Sequence, residues 1–126
     1  MPYRFVVDRA QRLIYKEVWG KYNDGQTRSA MAELDAIDGR RELDELHDLR
    51  RVTHYDLSTD WMKDVAWTNV ARRSIETLST KVVDADVGFG MGRLYQTITD
   101  ASSETFRVMR SMVDADAWLG VHLPES

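Results

Sequence analysis

The chain predicts an α/β domain: a mostly parallel mixed sheet of about five strands, with an N-terminal antiparallel hairpin and helices packed on it. Three observations predict it. Two runs rich in aromatic and β-branched residues, Tyr3–Val7 and Leu13–Trp19, are separated only by the polar stretch Asp8–Arg12, as in a hairpin. Helical and extended patterns then alternate in the order ββαβαβαβα, and strands that alternate with helices pair in parallel. Finally, 126 residues with 43% hydrophobic and 30% charged content amount to one domain's worth of sequence, with enough apolar side chains for a core.

In the second strand Ile14 and Val18 face one side, with Lys16 between them breaking the pattern, and Leu13, Tyr15 and Trp19 face the other. A strand this mixed is expected to have one partly wet face. Gly20 is read as its end. Asn23 with Gln26 three residues on has the form of a capping box, and Ala30, Met31, Leu34 and Ile37 recur at helical spacing, so a helix is expected from about Gly25 to Ile37, closed by Asp38-Gly39.

The stretch that follows is ambiguous on local signals. Leu43, Leu46 and Leu49 lie three apart among good helix formers, which suits a helix over Arg40–Arg51. Val52, Thr53 and Tyr55 favour extended structure, and a strand here would complete a βαβ unit. Leu57-Ser58-Thr59-Asp60 reads as a helix start, followed by the apolar stripe Met62, Val65, Ala66 and Val70, with Trp61 and Trp67 on its flanks. Lys81–Val83 is a short strand, Met91–Thr99 a helix with Leu94, Tyr95 and Ile98 inward, and Thr105–Met109 the last strand. Ser111 with Asp114 opens a final helix that buries Ala115, Trp118 and Leu119 and stops at Gly120.

Charge and composition narrow the function. The net charge is −4 and basic residues are not massed in any one segment, which disfavours nucleic acid as a partner. The absence of cysteine rules out disulfides, thiol catalysis, zinc ribbons and iron–sulfur clusters. No apolar run approaches the roughly 20 residues that cross a bilayer, and the N-terminus lacks the pattern of a signal peptide, so no integral membrane segment and a cytoplasmic location are expected.

At this point the motifs resemble a family. Leu46, Asp48, Leu49, Arg50, Val52 and Thr53, followed by Ser58, Thr59 and Asp60, match a strand of the form L-x-D-L-R-x-V-T that leads through a polar loop into a helix. Phe89, Gly90, Met91, Arg93, Leu94 and Tyr95 match an F-G-[ML]-x-R-[ML]-[YF] helix entry, and Asp114 to Gly120 match D-A-x-A-W-L-G. Motifs and element order together resemble the SpoIIAA-like (STAS) domains, in particular small bacterial stand-alone members, whose fold is shared with the Sec14-type (CRAL-TRIO) lipid-binding domains. The resemblance implies a strand around Leu46–Val52. It also implies a non-enzymatic binding or regulatory role with no cofactor. Two departures stand out: Ser79 to Asp84 replaces a more apolar strand, and Asp56-Leu57-Ser58-Thr59-Asp60 stands where anti-sigma-factor antagonists have a phosphorylated Asp-Ser-Ser-Gly.

The candidate site lies at the carboxyl ends of the strands, around Tyr55–Met62 and Val87–Tyr95. Tyr55, Trp61, Met62, Phe89, Met91 and Tyr95 are the candidate binding residues, since Trp61, Phe89 and the two methionines could line an apolar cleft if their helices lie side by side. The expected partner is a protein or a small apolar ligand; a homodimer is also an expectation. Ser58 and Thr59 are candidate phosphoacceptors at a helix N-terminus, against which N-capping competes, and the flanking Asp56 and Asp60 favour the cap. Gly88-Phe89-Gly90-Met91-Gly92 lacks the third glycine of a dinucleotide fingerprint, Arg93 standing in its place, and reads as a tight turn. His47, His54 and His122 form no metal-ligand spacing. Asp48, with Arg50 on its face, reads as an internal ion pair; a catalytic role for Asp48 or Asp56 is the remote alternative, and no catalytic residue is assigned.

Overall fold

The computed structural model describes residues 3–56, 58, 60, 77–84, 90, 93, 94, 97 and 106–122. Most of the expected helices after Leu57 and after Gly90 therefore lie outside the described residues, though Asp60, Gly90, Arg93, Leu94 and Thr97 have helical backbone. No helix among the described residues is long and apolar enough to cross a membrane.

The sheet has five strands in the order β1-β2-β3-β4-β5, which is also their order along the chain. β1 (Tyr3–Asp8) and β2 (Leu13–Asn23) form the antiparallel hairpin, and β2, β3 (Asp44–Asp56), β4 (Ser79–Val82) and β5 (Phe106–Met109) run parallel. Helix α1 (Asp24–Asp35) covers one face of the sheet, where Ala30 packs with Tyr3, Val18, Tyr22, Leu49, Val52 and Val83. Helix α2 (Met112–Leu119) covers the other, where Ala115 and Leu119 pack with Leu13, Tyr15, Leu46 and Val82.

The ambiguous stretch is a strand. Only a short 3-10 turn, Arg40–Glu42, expresses its helical propensity. Pairing decides the matter, because β3 is hydrogen-bonded to β2 on one side and β4 on the other. Leu46 and Leu49, which a helix would have placed on one face, point to opposite faces of the sheet and serve its two cores.

Local details differ from the sequence reading in four places. Gly20 does not end β2; it adopts φ +73 within the strand, where the register against β3 shifts, and the strand continues to Asn23. Leu13 to Val18 are all buried, Lys16 included, because helices cover both sheet faces; β2 becomes wet only from Trp19 onward. α1 stops at Asp35 rather than Ile37, while its Asn23–Gln26 capping box forms with both bonds in place, at 2.9 and 3.4 Å. At α2 the Ser111 hydroxyl accepts from the Asp114 N–H at 3.4 Å, the cap half of the expected box, and Gly120 ends the helix in the left-handed region.

Candidate functional site

β2 and β3 outrun their neighbours. β4 ends at Val82, opposite Asp48, whereas β2 and β3 remain paired as far as Asn23 and Asp56. The projecting ends deliver Tyr22, Tyr55 and the first turn of α1 to one corner at the carboxyl end of the sheet. Tyr22 and Tyr55 meet edge to face with ring centroids 6.5 Å apart. The Tyr55 hydroxyl donates to the Leu49 carbonyl at 3.4 Å, and burial, then the nearby Asp84 and Tyr22, push its phenol up to about 12. Ser58 is exposed; its hydroxyl donates to Asp24 Oδ2 at 2.8 Å and its N–H to Asp24 Oδ1 at 2.9 Å.

Of the residues singled out from sequence, the structure therefore brings Tyr55 and Ser58 to the same corner. Trp61, Met62, Phe89, Met91, Tyr95 and Thr59 lie outside the described residues. Leu94, expected inward on its helix, is exposed to 39%.

Beneath the corner the two sheet faces each hold a polar network. On the α2 face, Asp48 is 1% exposed and fully engaged. Arg50 Nε and Nη2 donate to its two oxygens at 2.9 and 3.0 Å, the Arg50 N–H adds a bond at 3.1 Å, and the Tyr15 hydroxyl donates at 2.9 Å. Burial alone would raise the Asp48 carboxyl, but the bonds from Arg50 and Tyr15 outweigh it and hold the group below its ordinary range. Every donor points inward from the fold itself, which is the geometry of a structural ion pair. The Tyr15 phenol, raised by burial and by Asp48, also reaches Glu17 Oε2 at 3.2 Å, and Glu17 is touched by Arg4 and Arg51 at 3.5 and 3.4 Å. Asp56, by contrast, is exposed and faces Lys21 at 3.8 Å.

On the α1 face a chain of polar contacts runs from Asp35 through Arg40 (2.6 Å) to Glu45 (3.2 Å), then through His47 (3.2 Å) to Lys81 (3.1 Å). His47 and Asp48 point to opposite faces, as adjacent strand residues must. Burial, reinforced by the Lys81 charge, lowers the His47 imidazole to about 3, so it is neutral. Its Nε2–H then donates to Glu45 while Nδ1 accepts from the Lys81 ammonium. Both ring nitrogens are thus used internally. Among the described residues no group of three His, Asp or Glu side chains is placed to hold a metal ion.

Sequence reasoning missed this second network. Lys16 is 2% exposed, its ammonium 3.2 Å from the Tyr22 hydroxyl and 5.3 Å from that ring's centroid. Burial would raise the Tyr22 phenol, yet Lys16 and Lys81 lower it. The available signal was position: Lys16 lies between Ile14 and Val18 on a face that α1 covers. A surface depression of about 600 Å³, lined by Asp35, Ile37, Gly39, Arg40, Arg41 and Glu42, lies just ahead of the start of β3, away from the corner at its far end.

No family model matches the chain, and no curated protein matches it. A solved structure does. An uncharacterised protein of the DUF3478 family from Shewanella loihica PV-4, with a SpoIIAA-like fold, superposes with a TM-score of 0.58 over 93% of each chain, at 17% identity. The fold is SpoIIAA-like. At that identity the likeness carries the architecture alone: a hairpin-led mixed sheet with helices on it. Within the SpoIIAA-like fold of this chain, the L-x-D-L-R-x-V-T strand is β3, and its Asp and Arg are the pair of buried Asp48 and half-buried Arg50.

Proposed function

We propose that this domain is a non-enzymatic binding or regulatory module whose partner docks at the carboxyl-end corner formed by β2, β3 and the start of α1. The observation that carries the reading is the convergence of Tyr55, Tyr22 and the Ser58–Asp24 contact on that one corner. Loops at the carboxyl ends of parallel strands are where α/β folds receive ligands. Buried Asp48 and His47, the side chains whose chemistry would suit an acid or a base, are engaged by contacts within the fold, which supports binding over catalysis.

A protein is the first partner class, and a small apolar molecule is the second. The apolar reading rests on the sequence expectation that Trp61, Met62, Phe89 and Met91 line a cleft if their helices lie side by side, and on the lipid binding that the Sec14-type resemblance implies. Native mass spectrometry and thermal shift with palmitate test it. A retained one-to-one adduct and a raised melting temperature, both lost in Tyr55→Ala, are expected of an apolar site. No adduct and no shift remove the apolar ligand and leave the protein partner.

A phosphorylation-regulated version of the same site, like an anti-sigma-factor antagonist, is the alternative to the binding module, favoured by the exposure of Ser58. A phosphate there would meet Asp24 head on and release the corner. Under this reading an acidic replacement of Ser58 or Thr59 abolishes partner binding; undiminished binding by the acidic variants rejects it.

A further inference from the structure

β1 is the terminal strand of the sheet, and its outer edge has no hydrogen-bonded neighbour among the described residues. Its sequence from Arg4 is Arg-Phe-Val-Val-Asp, a cation and an anion at the ends of an apolar centre. Arg4, Val6 and Asp8 share one face of the strand. Val6 is 42% exposed, large for a valine within a sheet, and the Arg4 side chain is 52% exposed. Phe5 and Val7, on the opposite face, are held against Ile14, Leu34 and Leu43. An open, mostly apolar edge without a bulge or an inward lysine is a template for another strand.

The charge pattern selects the occupant. We infer that this edge receives β1 of a second copy of the chain, antiparallel, about a two-fold axis at Val6. That register sets Arg4 opposite the partner's Asp8, Asp8 opposite the partner's Arg4, Val6 opposite the partner's Val6, and Phe5 opposite the partner's Val7. The interface is isologous and self-complementary, with both charges paired twice over and the two sheets joined into one. Sliding the strands by one residue, so that Phe5 faces the partner's Asp8, sets Arg4 against the partner's Arg9 and separates the opposite charges. The side chains are free to make the contact. Asp8 accepts from the Gln11 N–H and Nε2, at 3.1 and 2.8 Å, and its backbone partners extend to Ala10, which still leaves acceptor capacity on its carboxylate. Among the described residues Arg4 meets Glu17 through Nε, which leaves its terminal nitrogens as donors for the partner.

A charge-swap experiment on the full chain decides it. Sedimentation equilibrium of the native protein is expected to show a concentration-dependent dimer that weakens with salt. Arg4→Asp and Asp8→Lys each set like charges face to face at both ends of the interface, so each variant alone is expected to raise the dissociation constant at least about tenfold. An equimolar mixture of the two restores opposite charges and is expected to recover the dimer, which no loss of folding imitates. Val6→Lys, which opposes two ammonium groups at the axis without touching the Asp8–Gln11 turn, is also expected to be monomeric. A native chain that stays monomeric at its solubility limit overturns the inference. So does a dimer indifferent to Val6→Lys, or a mixture of two folded variants that does not recover it.

Discussion

The Ser58 hydroxyl donates to Asp24 at 2.8 Å, tying the exit of β3 to the first turn of α1 across 34 positions of sequence. The same carboxylate accepts the Ser58 N–H, so one acidic side chain holds both the backbone and the side chain of the loop. Asp24 is also the acidic residue of the first turn of α1, where the helix dipole favours it. Anchoring and capping chemistry thus meet at the corner where we place the binding surface.

Removing the serine hydroxyl should loosen that corner without unfolding the domain. Ser58→Ala is expected to cost about 1 kcal/mol in chemical denaturation, the usual net worth of one such bond. Ser58→Asp is expected to cost more, because it sets two carboxylates against each other. Hydrogen exchange at the Ser58 amide checks the local effect: its protection falls modestly in the alanine variant and collapses in the aspartate variant.

His47 makes stability depend on mild acid. Its ordinary value is 6.5 and its folded value is about 3, so it is neutral in both states above 6.5 and its contribution is then fully present. As pH falls below 6.5 the unfolded chain takes up a proton that the folded chain refuses. Stability is therefore lost toward pH 3, with a slope approaching one proton. Denaturation midpoints measured between pH 7 and pH 4 should fall for the native protein. They should fall distinctly less for His47→Gln, whose amide can still bridge Glu45 and Lys81.

Asp48 acts at lower pH and with the usual carboxylate sign. Its folded pKa lies below the ordinary 3.8, so its stabilisation is complete above that value and is lost as pH falls through the folded one. Asp48→Ala, which leaves the partly exposed Arg50 without its carboxylate and the Tyr15 hydroxyl with Glu17 alone, is expected to cost about 1.5–3 kcal/mol near neutral pH. In Asp48→Asn the acid-dependent loss below about pH 4 should shrink. Urea titrations at pH 7 and pH 3 measure both effects.

The architecture was legible because it follows from periodicity and punctuation. The hairpin came from Tyr3–Val7 and Leu13–Trp19, α1 from its Asn23–Gln26 box, and the last helix from Ser111 and Gly120. β3 was not legible locally. Its leucines at three-residue spacing mimic a helix, and only pairing to β2 and β4 reveals that Leu46 and Leu49 serve different faces. The resemblance implied the strand that propensity left open. Lys16 was misread because a lone cation between apolar residues normally marks a wet face, and nothing local foretells that Tyr22, six residues on, will meet its ammonium. The Ser58–Asp24 contact was invisible for a similar reason: Ser58 was accounted for by its own helix start, and nothing local ties it to a residue 34 positions away.

The claim that the carboxyl-end corner is the binding surface is tested most directly by site-specific photocrosslinking in cells. A photoreactive phenylalanine analogue would replace Tyr55 in one protein and Arg41, beside the depression at the opposite end of β3, in another. The account predicts a discrete crosslinked species from position 55 that is absent from position 41. Crosslinking from position 41 with none from position 55 would contradict it.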